Sequence, residues 1–251
     1  MTEALRRMLD ARTRPNLSPA LLQNWTSLLF LHWKYPVAQI QSRLPPDLVV
    51  DTFEGAAYLG LVAFRMESVR PIGIPALPWI SHFLELNVRT YVRTAAGEPG
   101  VWFFSLDCNR LPAVFIARTL FGLPYESAAM DAPSRTEIHC QRKGFRESAR
   151  YVWTQQRVPE ETTPGSLEFF LAERYNFFSL LRGRMFRGQV HHAPYPLSDA
   201  QISEWSDLPL RWNGFDVDQR PPDFTHCSPG VSVEAFPLCK AIQLPPRSPR
   251  L

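Results

Sequence analysis

The sequence predicts a single β-rich α+β domain, in which a closed or partly closed sheet carries a few short peripheral helices. Two observations lead to this fold class. Of the 251 residues, 45% are hydrophobic and 12% aromatic, which supplies a sizeable core and excludes intrinsic disorder. Short apolar or alternating segments recur along the chain between 24 prolines, about twice the average usage of ~5%. Many short strands with few helices are typical of all-β sheets and barrels.

The N-terminal elements follow from apolar spacing and helix caps. Leu5, Met8 and Leu9 recur at helical spacing and predict an amphipathic helix over residues 2–13. Ser18 and Pro19 predict a second brief helix, because serine is a good N-cap and proline fits the first helical position. The elements expected next are a buried strand at 25–33, a helix at 36–44, strands at 48–51 and 57–66, and a Pro/Gly loop at 71–78.

Residues 83–93 form the clearest alternation in the chain. Glu85, Asn87 and Arg89 share one face with Phe83 and Tyr91, whereas the intervening residues are mostly aliphatic. A turn at 95–100 and an apolar strand at 101–107 complete a predicted hairpin. Alternation by itself is typical of a strand whose polar side faces solvent, so a solvent-facing strand and a cavity-lining strand both remain open.

The C-terminal half is predicted from the same signals. Pro112 and Gly122 fit the first turn and the C′ position of a helix over 111–121. The later elements are strands near 135–142 and 146–157, a helix at 167–172 capped by Ser166, a hairpin of 174–181 and 184–192, a helix at 198–205, an extended segment at 209–212 and a closing strand at 230–236. The expected organisation is an N-terminal helical extension at 1–24, one domain at 25–240, and a Pro-rich tail at 241–251 that frays.

Composition and motifs argue against several classes of function. A net charge of +3 is too small to indicate nucleic-acid binding, and the basic residues between 135 and 157, including Arg142, are expected to form a solvated face. No apolar run reaches the ~20 residues of a membrane helix, and the N-terminus has no secretory h-region, so we expect a cytoplasmic protein without membrane contact. Four scattered cysteines predict reduced, mostly buried thiols. Neither a metal site nor a cofactor motif is found.

Several linked motifs between residues 25 and 236 resemble those of a known family. They are LLFLHW at 28–33, LPPDL at 44–48, FLELNVRTYV at 83–92, FFSLD at 103–107, AR at 117–118, LPY at 123–125, SLE at 166–168 and ERY at 173–175. These motifs are similar to those of the YqjF-like proteins, an uncharacterised bacterial family of the acetoacetate decarboxylase-like superfamily. The resemblance implies an acetoacetate decarboxylase-like β-barrel or sheet with helices packed outside, acting on small β-keto or related acids.

Lysine usage separates this chain from the decarboxylases it resembles. Of the 27 basic residues only Lys34, Lys143 and Lys240 are lysines. The superfamily's decarboxylases form a Schiff base through a lysine that follows a proline after an Arg-bearing helix. In the similar stretch here, Tyr125 follows the proline and Glu126 comes next, and neither side chain can form a Schiff base. Lys34 is the one other candidate and does not match the family's position, so we expect no lysine-dependent decarboxylation.

The candidate site combines residues of strand 83–93 with two further positions. Glu85 is the candidate general acid/base, and Arg89 or Arg118 would bind a substrate anion. Asn87 would orient the ligand, and Tyr125 would support a developing enolate. Each has a structural alternative: Arg118 could pair with Asp107 to join helix and strand, and Tyr125 could be a buried tyrosine with a satisfied hydroxyl.

The histidines are weaker candidates. His191 and His192 are adjacent on a strand and point to opposite faces, so at most one faces inward. His32 is expected to be a satisfied core histidine, with an acid/base role left open.

Two functions of the protein are predicted. In both, the ligand is expected to be a small anionic or oxo-bearing metabolite. The first is a lyase-like or hydratase-like enzyme that acts without a Schiff base. The alternative is a non-catalytic binding module that uses the same pocket. A third possibility, a structural or interaction protein, predicts a pocket filled by aromatic residues such as Phe83, Trp102 and Phe104.

Overall fold

The structure is a computed structural model that describes residues 1–241, and this part of the chain contains five helices and fourteen strands. The first elements are α1 (Glu3–Arg12), β1 (Leu21–Tyr35), α2 (Val37–Gln41), β2 (Leu48–Val50), β3 (Ala57–Pro71), β4 (Phe83–Thr94), β5 (Pro99–Cys108), α3 (Leu111–Phe121), β6 (Tyr125–Ser134) and β7 (Glu137–Arg142). The remaining elements are β8 (Ala149–Gln155), β9 (Glu160–Glu161), α4 (Leu167–Ala172), β10 (Asn176–Leu181), β11 (Arg184–His192), β12 (Pro196–Glu204), α5 (Leu208–Trp212), β13 (Phe224–Ala235) and β14 (Cys239–Lys240).

All of these strands belong to one sheet whose pairings close on themselves. The order is β14-β11-β10-β5-β6-β7-β8-β12-β13-β1-β3-β4-β2, and β9 pairs with β12. Two additional pairings, β4 with β5 and β11 with β13, create two circuits. One circuit runs through β10 and β11, the other through β6, β7, β8 and β12, and they share β13, β1, β3, β4 and β5. The β-rich fold with short peripheral helices is therefore confirmed.

The middle of the shared strand β1 is buried on both faces, which explains its continuous apolar sequence. Leu28 and Phe30 of β1 pack in one hydrophobic cluster, whereas Leu29 and Leu31 pack in another on the opposite face. All four side chains are at most 1% exposed. Burial on both faces produces an unbroken hydrophobic run instead of the alternation of a half-exposed strand. β1 thus separates two interior compartments. The first contains Leu28 and Phe30, and the second contains Leu29 and Leu31.

Helix α3 connects two parallel strands and lies across one end of the first compartment. β5 and β6 pair in parallel, with Leu106 opposite Tyr125, and such a pair requires a crossover connection. Val114 of α3 packs in the cluster that holds Leu28 and Phe30. The helix ends as predicted, with Gly122 left-handed at φ 60° and its N–H bonded to the Ala117 carbonyl.

Most predicted elements are confirmed, and three predictions are wrong. Residues 18–20 form no helix, because the chain passes directly into β1. Residues 198–205 were expected to be helical but lie largely in strand β12, which pairs with β8 and β13. Residues 209–212 were expected to be extended but lie in helix α5. Strand β6 was not predicted. Apart from residue 241, the Pro-rich tail lies outside the described residues.

Two expectations about the chain as a whole can be compared with the structure. Cys108, Cys140 and Cys227 are buried free thiols and Cys239 is an exposed one, as predicted. Among residues 1–241, no helix has both the length and the apolarity to cross a bilayer.

Candidate functional site

A cavity of about 700 Å³ lies in the first compartment. Its wall comes from β1, β3, β4, β5, β6, β10 and β11, from α3 and from the loop at residues 72–82. Glu85 and Tyr125 line the cavity and are buried, so this part of the wall is shielded from solvent. Leu77 of the loop and Leu120 of α3 also line it but are 41% and 61% exposed, so they mark its mouth.

Glu85 is a buried carboxyl with two hydrogen-bond donors. Its side chain points from β4 into the cavity and is 3% exposed. The Tyr125 hydroxyl donates to Oε2 at 2.5 Å, and the Asn87 amide Nδ2 donates to Oε1 at 3.2 Å. Burial raises the pKa of Glu85 to about 7, because desolvation outweighs these hydrogen bonds and the attraction of Arg89. The carboxyl can therefore exchange a proton near neutral pH.

Strand register brings Tyr125 to Glu85 across forty residues of sequence. Glu85 is opposite Cys108 in the antiparallel β4–β5 pair, and Leu106 is opposite Tyr125 in the parallel β5–β6 pair. Tyr125 is thus the first residue of β6, which β5 separates from β4. Its ring reaches across β5 to Glu85. Burial, and secondarily the charge of Glu85, raise the pKa of Tyr125 well above its usual value, so the hydroxyl remains a donor.

Arg89 lies four residues after Glu85 on the same face of β4 and also lines the cavity. Its Nη2 donates to the Leu171 carbonyl at 3.3 Å, while its buried Nε has no hydrogen-bond partner among the described residues. Within that part of the chain no carboxylate forms an ion pair with Arg89. The guanidinium therefore keeps positive charge and a free donor for an anionic ligand.

Asn87 lies between Glu85 and Arg89 along β4 and is not part of the cavity wall. It is buried, and its Nδ2 is used by Glu85 while Oδ1 has no partner in the described chain. Its contact thus orients the carboxyl of Glu85, whereas a direct contact with a ligand had been expected.

Arg118 was predicted to bind the substrate anion or to pair with Asp107, and the structure places it elsewhere. Its side chain is half exposed, forms an ion pair with Glu126 at 2.9 Å and does not line the cavity. Asp107 pairs instead with Arg142, whose Nε and Nη2 donate to the two carboxylate oxygens at 2.6 and 2.7 Å. Arg142 is buried, so its prediction as part of a solvated basic face is also wrong. β5 alternation points Asp107 away from α3 and into the second compartment.

The three histidines considered above, His32, His191 and His192, do not line the cavity. His32 Nδ1 and His192 Nε2 are buried and have no hydrogen-bond partner among the described residues. The Tyr91 hydroxyl donates to the Leu171 carbonyl, so Nε2 of His32 donates to the tyrosine oxygen at 2.7 Å. Burial, followed by the charge of Arg89, lowers the pKa of His32 well below its usual value. His192 is buried and stacks on Tyr175 at 4.6 Å, whereas His191 is half-buried, so one histidine of the pair faces inward as predicted.

No lysine of the chain is placed to form a Schiff base in the cavity. Lys34, Lys143 and Lys240 are all described, all exposed, and all outside the cavity wall. The side chain of Lys34 lies over the Phe224 ring, with 5.8 Å between Nζ and the ring centroid. Among residues 1–241, no group of three or more His, Cys, Asp or Glu side chains is arranged to hold a metal ion.

The cavity is not filled by aromatic side chains, contrary to the third possibility. Phe83 forms part of its wall, whereas Phe104 packs against Phe215 in the second compartment at 4.6 Å between ring centroids. Trp102 packs in a separate cluster with Leu48 and Phe178. Trp102 and Phe104 alternate with Val101 and Phe103 of the wall and so point away from the cavity. A register shift at Phe104 in the β4–β5 pair then returns Leu106 to the wall.

Sequence reasoning missed several polar residues of the wall, including Arg174 and Asn176. Arg174 is buried and donates from Nη1 to Asp51 at 2.9 Å, while its Nη2 has no partner among the described residues. Asn176 Oδ1 is likewise unpartnered in that part of the chain. The ERY motif at 173–175 was the signal that could have identified this segment, because its three residues are all buried in the structure.

This closed sheet with its short peripheral helices has the acetoacetate decarboxylase-like fold. The structure is similar to an acetoacetate decarboxylase from Legionella pneumophila (TM-score 0.62, 11% identity, 94% of this chain and 95% of that one). It is also similar to the enduracididine biosynthesis enzyme MppR (TM-score 0.62, 11% identity, 92% and 90%). An acetoacetate decarboxylase-like enzyme from Sphingomonas wittichii RW1 gives 0.59 at 14% identity, covering 91% and 95%.

The chain belongs to the DUF2071 family of uncharacterised conserved proteins, whose family model matches residues 22–232. It is 34% identical over 222 residues to the uncharacterised protein YqjF of Bacillus subtilis (strain 168). That alignment covers 87% of this chain and 91% of YqjF. The resemblance inferred from the motifs is therefore confirmed.

Proposed function

We propose that the protein is a lyase-like or hydratase-like enzyme that transfers a proton next to the oxo group of a small oxo- or carboxylate-bearing metabolite, without a Schiff base. The observation that carries this proposal is the buried carboxyl of Glu85, which has a pKa of about 7 and faces the same cavity as Arg89. A general acid/base works best when its pKa is close to the working pH. An anionic ligand would supply the negatively charged partner that Arg89 lacks.

The proposed step begins with ionised Glu85. Its carboxylate removes a proton from the carbon beside the oxo group. The electron pair of that C–H bond forms a carbon–carbon double bond, and the π pair of the oxo group moves to its oxygen, so that an enolate results. Arg89 compensates the negative charge of the substrate. Protonated Glu85 no longer requires the hydrogen bond from Tyr125, so this hydroxyl becomes free to donate to the enolate oxygen. The proton on Glu85 is replaced by one from solvent, and return of that proton to the carbon completes the exchange.

The comparisons support the class of ligand. MppR has been captured with pyruvate, which is an oxo acid of the proposed kind. At 11% identity, the similarity to MppR supports a shared fold. That this protein binds the same class of ligand is part of the proposal.

Deuterium incorporation tests this function. A panel of small 2-oxo and 3-oxo acids is incubated with the protein in D₂O, and loss of the α-proton signal is followed by NMR. We expect faster exchange than the background for at least one acid, and a loss of about 10²-fold or more in Glu85→Gln. Arg157→Gln, which removes an exposed charge paired with Asp199 outside the cavity, is the matched control and keeps the wild-type rate. Exchange that is unaffected by Glu85→Gln contradicts the proposal.

Borohydride trapping separates this mechanism from imine chemistry. Because all three lysines lie outside the cavity, we expect no mass increase after reduction in the presence of the same acids. A reduced adduct on Lys34 would show that a lysine performs the chemistry and would contradict the proposed role of Glu85.

A binding module without catalysis is the second candidate, and the apolar character of the wall favours it. Phe64, Phe103 and Phe177 face the same space as the few polar groups. A cavity of this kind would hold a ligand whether or not a reaction followed. Binding of an acid with no deuterium incorporation would select this second candidate.

A further inference from the structure

We propose that the ligand is an amphiphile, in which an oxo-acid head lies at Glu85 and Arg89 and an apolar tail extends toward the mouth of the cavity. The inference rests on the proposed function of this site and adds the substrate class. It is carried by the volume of the cavity, the chemistry of its wall and the position of its mouth.

The cavity is too large for a small oxo acid alone. An acid with about seven non-hydrogen atoms, each given the ~30 Å³ that a water molecule occupies in the liquid, fills roughly 200 Å³. More than half of the 700 Å³ cavity would then remain without ligand. A volume of this size is typical of sites that enclose ligands several times larger.

The space beyond the head group is bounded mainly by apolar side chains from several elements. Phe64 of β3, Phe103 of β5 and Phe177 of β10 form part of it, together with Leu123 before β6 and Ile80 of the loop. Water in such a space has few hydrogen-bond partners, so its displacement by methylene groups is favourable. Away from Glu85, Arg89, Arg174 and Asn176, these apolar surfaces thus fit a hydrocarbon tail.

The mouth continues this apolar surface to the solvent. Ile74 and Leu77 of the loop, and Ile116 and Leu120 of α3, line the cavity although each is at least 41% exposed. Exposed apolar residues that are contiguous commonly mark a site of interaction. Because the two segments border the same cavity, a tail that extends from Glu85 has an apolar path between them.

A chain-length series tests the tail directly. Straight-chain 2-oxo acids of about four to about twelve carbons are titrated into the protein by calorimetry. We expect Kd to fall about fourfold per methylene over the first additions, which corresponds to ~0.8 kcal/mol per buried CH₂, and to level off when the chain reaches the mouth. An affinity that does not change with length overturns the inference.

The possible failures are distinguishable. If short acids bind and undergo Glu85-dependent exchange while length has no effect, the proposed function stands and the amphiphile is excluded. If affinity rises with length but no acid is exchanged, the tail site stands and the enzyme is excluded. If no acid of any length binds, both proposals are contradicted.

A substitution in α3 tests whether the tail lies in this cavity. Ala117 is half-buried and lines the wall, so Ala117→Phe shortens the space for a tail. We expect at least a tenfold loss of affinity for the longest acids and little change for the shortest. Thr119→Phe, on the exposed side of the same helix and outside the wall, is the matched control. Equal affinities in both variants for every length would contradict the assignment.

A second pair of variants tests the same path and can be used if Ala117→Phe does not fold. Ile116→Asn places an amide at the mouth, and Phe115→Asn places one at a neighbouring exposed position that does not line the cavity. We expect weaker binding of long acids in Ile116→Asn alone. Equal loss in both variants would assign the effect to the helix and exclude the tail path.

Discussion

Glu85 owes its raised pKa chiefly to desolvation, and the surrounding donors limit the size of the shift. Tyr125 and Asn87 both stabilise the ionised form by hydrogen bonding, and Arg89 does so by its charge. Burial nevertheless brings the pKa to about 7, against an ordinary value of 4.5. A carboxyl in a cavity whose pKa lies near neutral pH is typical of functional sites. Buried structural networks also shift pKa values.

The shift predicts a pH-dependent cost in stability. The native carboxyl holds its proton up to about pH 7, whereas the unfolded one loses it near 4.5, so the native state binds more protons between these values. The stability contributed by this group therefore falls as pH rises through that window, by up to about 3 kcal/mol. Urea unfolding over a pH series should show that Glu85→Gln gains stability over the wild type between pH 4.5 and 7, with a constant difference above.

Tyr125→Phe refines this prediction. Loss of a donor to the carboxylate should raise the pKa of Glu85 further and extend the window to higher pH. A stability difference between wild type and Glu85→Gln that does not vary with pH would show that Glu85 is not perturbed.

The two arginine pairs should differ sharply in their contribution to stability. Arg142 and Asp107 are buried, so Arg142→Leu leaves an uncompensated carboxylate and should lower the free energy of unfolding by roughly 3–5 kcal/mol. Arg118 and Glu126 are exposed to solvent, so Arg118→Gln should cost at most about 1 kcal/mol. Denaturant unfolding measures both. Equal effects would contradict the assignment of Arg142 as the partner of Asp107.

At the scale of elements, the end of α3 is fixed by Gly122. Its φ of 60° disfavours a side chain, and an added Cβ would lie 2.6 Å from the Leu180 carbonyl oxygen of β10. Gly122→Ala should therefore destabilise the protein by more than Gly183→Ala, which has a similar φ of 73° but no atom within 4 Å of the added Cβ. We expect about 1 kcal/mol for Gly183→Ala and clearly more for Gly122→Ala in denaturant unfolding. Similar values would show that the contact with β10 is dispensable.

Elements with a strong local signal were predictable from the sequence. The Ser166 hydroxyl accepts from the Phe169 N–H and caps α4 as expected, and α3 is confirmed between Pro112 and Gly122. Segment 198–205 was not predictable, because Ala200, Ile202 and Trp205 are too few to distinguish helical from strand spacing. Its state is decided by pairing with β8 and β13, which are distant in sequence.

The candidate site was predictable only where its residues share a strand. Glu85 and Arg89 lie on one face of β4, and alternation was sufficient to pair them. The contact between Glu85 and Tyr125 requires the register of two strand pairs, one of them involving the unpredicted β6. The resemblance indicated Tyr125 as a site residue, and no local pattern would have shown its bond to Glu85.

On the scale of the whole molecule, the shared strands should be the most stable part of the sheet. β1, β3 and β4 pair on both edges and are largely buried, whereas β9 and β14 are two-residue edge strands with exposed side chains. Hydrogen exchange followed by mass spectrometry should find the slowest amides in β1, β3 and β4. Exchange in the middle of β1 as rapid as that in β9 would contradict the closed pairing.

The closed sheet also explains how one fold accommodates different chemistry. The strands position Glu85 and Arg89 in the wall of the cavity, while the β5–α3–β6 connection brings Tyr125 to the place where the resemblance expects a lysine. Tyrosine cannot form a Schiff base, whereas Glu85 and Arg89 face the cavity. These groups are the basis of the acid/base chemistry that we propose.

The pH profile of deuterium exchange tests this central claim most directly. With an oxo acid that the wild type exchanges, the rate should rise with ionisation of Glu85, with an apparent pKa near 7 in the free protein, and then level off. Glu85→Gln should remove both the rate and its pH dependence. A rate that does not respond to pH between 5 and 9, or the same profile in Glu85→Gln, would contradict the account.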